Sequence, residues 1–197
     1  GIEVIVSTRD LPLDKMTDAQ VFSWFQNTFH INGITNYISR VLYKQQGIEY
    51  KDFYEKLFEH IKRDEWLGTE INRIAHHYAN WGKFGKIDHD PIQGMEIHGW
   101  NLIHSTVINL HSEDKHAHIF NVVEQFLVEN FDIDPLLLRD LITFQKSFLI
   151  NYRDAQSYPK QLKLDYDIFG YVQNDSELKS EATYEMDFPE DKDMSLQ

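Results

Sequence analysis

Apolar side chains recur at intervals of three and four along most of this chain, the spacing that packed amphipathic helices require. The cleanest instance is Ile34, Tyr37, Ile38, Val41 and Leu42, which fall on one helical stripe. Asn32-Gly33 reads as the turn before it and Gly47 as its C-terminal stop. Upstream, Val21, Phe22, Trp24, Phe25 and Phe29 give a helix with a broad aromatic face, for which Thr17 and Gln20 have the spacing of a capping box. Downstream, Tyr50, Phe53, Tyr54, Leu57, Phe58 and Ile61 form a third stripe. Ile71, Ile74, Ala75, Tyr78 and Trp81 form a fourth, in a helix expected to start near Thr69.

From Gly82 to Gly99 four glycines and Pro91 break the pattern, and a loop is expected. Helical spacing resumes near Trp100 with Ile103, Val107 and Leu110. Ser112 to His118 either interrupts this helix or begins another, whose face continues through Ile119, Val122, Val123, Phe126 and Leu127. Asp134-Pro135 then places an N-cap and a first-turn proline ahead of Leu137, Leu138, Leu141, Phe144 and Phe148.

The two ends have a different period. Ile2 to Ser7 reads as a short β-branched strand, closed by Pro12, which the chain enters at once, as if cut from something longer. After Pro159, Leu162, Leu164, Tyr166 and Ile168 alternate with charged residues as in a half-buried strand, and Thr183 to Phe188 is placed to pair with it as a hairpin. The expected architecture is mainly α: a multi-helix orthogonal bundle with a short N-terminal strand and a small C-terminal β-hairpin. The divisions are residues 1–12 as a strand or linker from a preceding domain, 13–155 as the helical domain, 156–189 as the hairpin lobe and 190–197 as a disordered acidic tail.

Composition narrows the function. Apolar residues are 42% and aromatic residues 14% of the 197, enough for a packed core. There is no run of 18 apolar residues to span a membrane and no basic-then-apolar leader. The net charge is −13, with eight acids against two lysines from Asp175 onward, and no basic stripe offsets it, so nucleic acid is not an expected partner. Cysteine is absent, which removes disulfides, thiolate nucleophiles and thiolate-bound metals or clusters, and fits a cytoplasmic setting.

Ten histidines invite a metal hypothesis, with His76-His77, Asp88-His89-Asp90, His98, His104, His111, His116 and His118 as the nearest pattern. A metal-dependent phosphohydrolase of the HD type would use a pair such as His89-Asp90, but that pair falls in the glycine-rich stretch rather than in a helix. His76 and His77 diverge by about 100° on a helix. His104, His111 and His118 are each separated by a rise of about 10.5 Å if one helix carries them, too far for one ion. Surface or capping roles are the plainer reading.

Ser7, Ser105 and Ser112 lie in no nucleophile elbow. No phosphate-cradling glycine motif is present, although Gly82-Lys83-Phe84-Gly85-Lys86 could grip an anion if it is more than a solvated loop. The aromatics Phe22, Trp24, Phe25, Phe29, Phe53, Tyr54 and Phe58 could line a ligand groove, but their spacing fits a core better. No catalytic, cofactor-binding or metal-binding residue is therefore assigned. With 27 aromatic side chains, some could also form a docking face.

Four segments carry a family resemblance: Ile2-Glu3-Val4-Ile5-Val6-Ser7-Thr8, Val21 to His30, Gly33 to Ser39 and Gly47 to Tyr54. Together they resemble the region after the barrel in radical SAM proteins that carry a cobalamin-binding N-terminal domain, proteins often found among bacterial surface-polysaccharide genes. Phe144-Gln145-Lys146, through Tyr158-Pro159, to Leu164-Asp165-Tyr166-Asp167 resembles the end of such chains. The resemblance spans most of residues 2–172. It implies a non-catalytic accessory domain that caps the barrel or shapes the substrate site, with the preceding barrel domain as partner. The 4Fe-4S cluster, S-adenosylmethionine and cobalamin would belong to the parent enzyme, because the family's C-x-x-x-C-x-x-C motif is absent here. The alternatives are a stand-alone helical binding or scaffold module and, further off, the HD-type hydrolase. The accessory-domain reading further predicts an exposed apolar patch near Trp24 or Trp100.

Overall fold

The computed structural model describes residues 8–84, 113–148 and 160–186. The expected strand at residues 2–7, most of the glycine-rich stretch, the helix near Trp100 and the acidic tail lie outside them. Among the described residues the chain is mainly helical, with seven α-helices, one π-helical turn and a two-stranded sheet.

Helix α1 (Leu13–Gln26) begins four residues before the expected capping box. Thr8 sets up the start: its hydroxyl accepts the Leu11 N–H at 3.0 Å, and Pro12, which has no N–H to satisfy, takes the cap position. Thr17 is thus buried inside the helix, where its hydroxyl donates to the Leu13 carbonyl at 2.9 Å. Helix α1 runs on into the π-turn Asn27–Ile31.

Helix α2 (Asn36–Gln46) ends at Gly47, whose φ of +68° is the left-handed stop expected there. Its start is less usual. The Thr35 hydroxyl donates to the Phe29 carbonyl at 2.9 Å, so it does not cap the helix. The buried amide of Gln145 takes that role: its Oε1 accepts the Tyr37 N–H at 2.9 Å while its Nε2 donates to the Gly33 carbonyl.

Helix α3 (Tyr50–Ile61) buries Phe53, Tyr54, Leu57 and Ile61, as the stripe requires. Helix α4 (Glu65–Phe84) starts at Glu65 rather than near Thr69. The carboxylate of Asp64 accepts the Trp66 and Leu67 N–H groups at 3.1 and 2.8 Å, while Thr69 donates backward to the Glu65 carbonyl at 2.7 Å. The helix also passes through Gly82, where a loop was expected, because one glycine costs a helix only about 1 kcal/mol.

Helix α5 (Glu113–Asn130) carries Glu113 to His118 and the face that follows in one helix; Ser112 lies outside the described residues. Helix α6 (Pro135–Ser147) follows the Asp134 cap, whose carboxylate accepts from Leu136 and Leu137 at 3.0 and 3.1 Å.

Strand β1 (Lys160–Leu164) pairs antiparallel with β2 (Ala182–Met186), Leu162 opposite Tyr184. Between them lies helix α7 (Ile168–Gln173), so the expected hairpin contains a helix, and β1 stops before Tyr166 and Ile168. Asp140 ends it. This carboxylate, 1% exposed, accepts the Asp165 and Tyr166 N–H groups at 2.7 and 3.1 Å on Oδ2 and the Arg139 guanidinium on Oδ1. Asp167 then caps α7 by accepting the Gly170 N–H at 2.8 Å. Leu164, Tyr166 and Ile168 are nevertheless all buried, so the inward alternation holds through the corner.

These elements share one core. Helix α1 packs on α4, α3 on α1 and α5, and α2 on α6 and α7. Trp24, Phe25, Phe29, Phe53, Tyr54, Phe120, Phe126 and Phe144 are its largest aromatic members.

Candidate functional site

The π-turn at the end of α1 is the local irregularity around which polar groups gather. A π-turn widens the helix by one residue, visible here as the Asn32 N–H donating to the Asn27 carbonyl five residues back at 3.0 Å. The local sequence favours it. Asn27 and Thr28 donate side-chain hydrogens to the Ser23 and Trp24 carbonyls, each at 2.8 Å, and Asn32 donates to the Asn27 carbonyl at 2.7 Å. The turn buries Phe29 and leaves His30 half-buried at the edge of the core.

Beneath His30 lies the hydroxyl of Tyr54, on a side chain 2% exposed. A buried phenol needs partners, and three converge on it: His30 Nδ1 at 2.7 Å, Ser39 Oγ at 3.1 Å and Thr35 Oγ1 at 3.3 Å. Counting protons narrows their roles to two arrangements. Thr35 and Ser39 have closer carbonyl acceptors, Phe29 O and Asn36 O, each at 2.9 Å. With those hydroxyl protons engaged, two arrangements satisfy Tyr54: its hydroxyl donates to His30 Nδ1, or it accepts from Nδ1–H and donates to Ser39. In either case Nε2 of His30 has no hydrogen-bond partner among the described residues. Burial, with the Arg40 charge second, lowers the His30 pKa below the usual histidine value. Burial pushes Tyr54 up to about 12, so it stays neutral.

The outer wall is aromatic. Tyr50, one turn before Tyr54 on α3, lies 6.3 Å from the His30 ring centroid. Tyr43, from the end of α2, stacks on Tyr50 at 5.3 Å and 14°. These tyrosines are 39% and 42% exposed, and Ile31 beside His30 is 68% exposed. The corner thus offers an unpartnered ring nitrogen on a buried support, flanked by open apolar surface.

A second histidine stands at a cleft of about 390 Å³ between α3 and α5, lined by Glu55, Lys56, His60, Arg63, Glu129 and Asn130. His60 packs on Phe126 with ring centroids 5.4 Å apart, and its Nδ1 is 3.6 Å from Glu129.

The histidines singled out by spacing have other surroundings. His76 Nε2 meets Asn80 one turn on at 2.7 Å, and the His77 ring lies against Tyr78. His118 reaches across to the α4 cap, 2.9 Å from Asp64, with its ring edge-on to Trp66. His89, Asp90, His98, His104 and His111 lie outside the described residues, as do Ser7, Ser105, Ser112, Gly85 and Lys86. Among the described residues no three His, Asp or Glu side chains are placed to hold an ion.

The aromatic series of α1 and α3 forms core rather than groove: Trp24 is 1% exposed, and Phe22 and Phe58 close over the edge in a T-shaped pair at 5.4 Å. Trp24 itself is therefore buried, and Trp100 lies outside the described residues. Sequence spacing passed over His30 and His60. The usable signal for His30 was indirect: Tyr54 sits mid-stripe in α3, and a phenol buried there demands a polar partner. No helix among the described residues is long and apolar enough to cross a membrane. No protein-family model matches this chain, and none of the curated proteins compared with it matches.

Proposed function

We propose that this chain is a non-catalytic binding module that works as the C-terminal accessory domain of a radical SAM enzyme with a cobalamin-binding domain. The supporting observation is the corner at α1, α2 and α3, where Ile31, Tyr43 and Tyr50 stand open around His30 beside a closed core. The radical SAM part of the reading comes from the resemblance of residues 2–54 and 144–167. Under it the corner faces the barrel mouth or the substrate held there. The chain contains no cysteine, so it cannot supply the three thiolates that ligate the cluster; cluster, S-adenosylmethionine and cobalamin belong to the preceding domains.

Two tests bear on this. The reading frame upstream of Gly1 should encode a C-x-x-x-C-x-x-C segment, and a frame without it overturns the assignment to that family. In the full-length enzyme, replacing Tyr43 and Tyr50 together by Ser should impair turnover while the cluster and the fold remain; unchanged turnover removes the role of the corner.

A stand-alone binding module is the second reading, favoured by the burial of Trp24 within a closed core. It predicts that the isolated chain remains monomeric and that no barrel is encoded in the same frame. The HD-type hydrolase is tested by metal analysis after purification without chelator.

A further inference from the structure

At the meeting of α4 and α5 a carboxylate sets the proton assignment of a histidine. His118 Nε2 lies 3.0 and 2.9 Å from Oδ1 and Oδ2 of Asp64, whereas His60 stays 3.6 Å from Glu129, beyond hydrogen-bond length. Oδ1 of Asp64 also accepts the Trp66 and Leu67 N–H groups at the start of α4, which fixes the carboxylate and keeps it ionised. An ionised carboxylate only accepts, so the hydrogen between the two residues belongs to His118 Nε2. In neutral His118 the ring lone pair is therefore on Nδ1, and Nδ1 has no hydrogen-bond partner among the described residues. The His118 side chain is 44% exposed against 17% for Asp64, so the anchor is sheltered while the ring is open to solvent. A cation stands on the same face. Lys115 precedes His118 by three residues on α5, the spacing of neighbours along a helix surface. Both lie against one indole: the His118 ring is edge-on to Trp66 with centroids 5.6 Å apart, and Lys115 Nζ is 5.4 Å from the Trp66 ring centroid. In a chain of net charge −13, this lysine offsets locally the repulsion that an arriving anion meets.

We propose that Nδ1 of His118 is a phosphoryl acceptor, taking the phosphoryl group of an acyl phosphate that Lys115 draws to the ring. The Nδ1 lone pair forms the N–P bond. The P–O bond to the acyl oxygen breaks, and the carboxylate leaves with that electron pair. No proton moves and nothing is oxidised or reduced. The ring gains positive charge as the N–P bond forms, and the Asp64 carboxylate on Nε2–H offsets it, as an aspartate does for the histidine of a hydrolytic triad. An acyl phosphate fits the groups present because its leaving carboxylate is weakly basic and needs no acid to protonate it. His118 is thus a nucleophile whose tautomer is set in advance, and Asp64 is its positioning residue. The site is independent of the radical SAM assignment and stands whether the chain is an accessory domain or a separate module.

The experiment incubates the whole chain with acetyl phosphate and maps the modified residue by mass spectrometry under alkaline conditions, which preserve phosphohistidine, with phosphorus NMR to identify the N–P bond. His118 should carry the group and should react about tenfold faster in the folded chain than in urea, where Asp64 no longer holds the ring. His118→Gln should abolish the signal. Asp64→Asn, which keeps a good helix cap, should slow the reaction about tenfold and remove the Nε2–H tautomer signature from nitrogen NMR of the ring, with an unchanged circular dichroism spectrum. Lys115→Gln should slow it about threefold and leave that signature in place. Labelling spread evenly over the ten histidines overturns the proposal, as does no labelling at all. Equal rates in the folded and unfolded chain, or in Asp64→Asn and the unaltered chain, also overturn it, and an equal rate in Lys115→Gln overturns the role of the lysine.

Discussion

Replacing Asp140 by Ala tests how the C-terminal lobe is fastened to the helices. The carboxylate is 1% exposed and holds the Asp165 and Tyr166 N–H groups at 2.7 and 3.1 Å. Alanine leaves both donors facing a space with no acceptor. Each such donor costs about 1–3 kcal/mol, so the two together put the loss near 4 kcal/mol. Arg139→Ala is the internal control. Its side chain is 56% exposed and Asp140 keeps both backbone donors without it, so its effect should be far smaller. Asp140→Asn should fall between, because the amide oxygen can still accept both N–H groups while the charge is lost. Urea unfolding followed by circular dichroism gives the three values, and amide exchange at residues 165 and 166 locates the damage. A loss below about 1 kcal/mol for Asp140→Ala, or one no larger than for Arg139→Ala, refutes the reasoning.

Other expectations follow from geometry and charge. Gly68→Ala in α4 should destabilise the chain by about 1–2 kcal/mol despite alanine's better helix propensity, because an added Cβ would sit 2.6 Å from the Lys62 backbone carbonyl; thermal unfolding that shows a gain contradicts this. Gly47→Ala should cost about 1 kcal/mol for its φ of +68° alone, since nothing lies within 4 Å of the added carbon, and Gly47→Asn should cost less in the same assay. His30 has a folded pKa below its unfolded value of about 6.5, so the unfolded chain binds more protons in that window and stability should fall as pH drops below about 6.5. Unfolding measured against pH in His30→Gln should be flatter there, and an equal slope would contradict the assignment. Asp64 behaves with the usual carboxylate sign. Burial opposes its charge, but the Leu67 N–H, His118 and the Trp66 N–H outweigh that and lower its pKa, so its contribution is present above about pH 4 and should be lost as pH falls through the folded value. Asp64→Asn should remove that acid-limb dependence in urea titrations at stepped pH.

The helical stripes at 34–42 and 50–61 were legible because one side of each meets the core and the other meets water, which is what the spacing encodes. Helix starts were less legible at Thr17 and Thr69. A threonine hydroxyl can cap a helix or donate to a carbonyl one turn back inside it, and both residues do the second. The break at Tyr166 escaped the period-two pattern because the inward alternation continues through the corner; Asp140, 26 residues away in sequence, supplies the force that turns the chain. The His30 site was illegible for a related reason. A π-turn adds a single residue to a helix and leaves no period of its own, and the groups on Tyr54 come from positions 24, 19 and 15 residues distant. The plentiful histidines drew attention to spacing, whereas what distinguishes His30 is burial on one nitrogen and freedom on the other.

The amide of Gln145 carries a consequence for the order in which the chain can mature. It completes the first turn of α2 from 108 residues away, so during synthesis that helix emerges long before its cap exists. Until α6 has left the ribosome and docked, the start of α2 must fray or be held by something else, and the hydroxyl pocket built on Thr35 and Ser39 shares that delay. A fragment ending before Pro135 should therefore exchange the Tyr37 amide rapidly while the middle of α3 is already protected. Protection at Tyr37 in such a fragment would mean that the helix secures its own beginning.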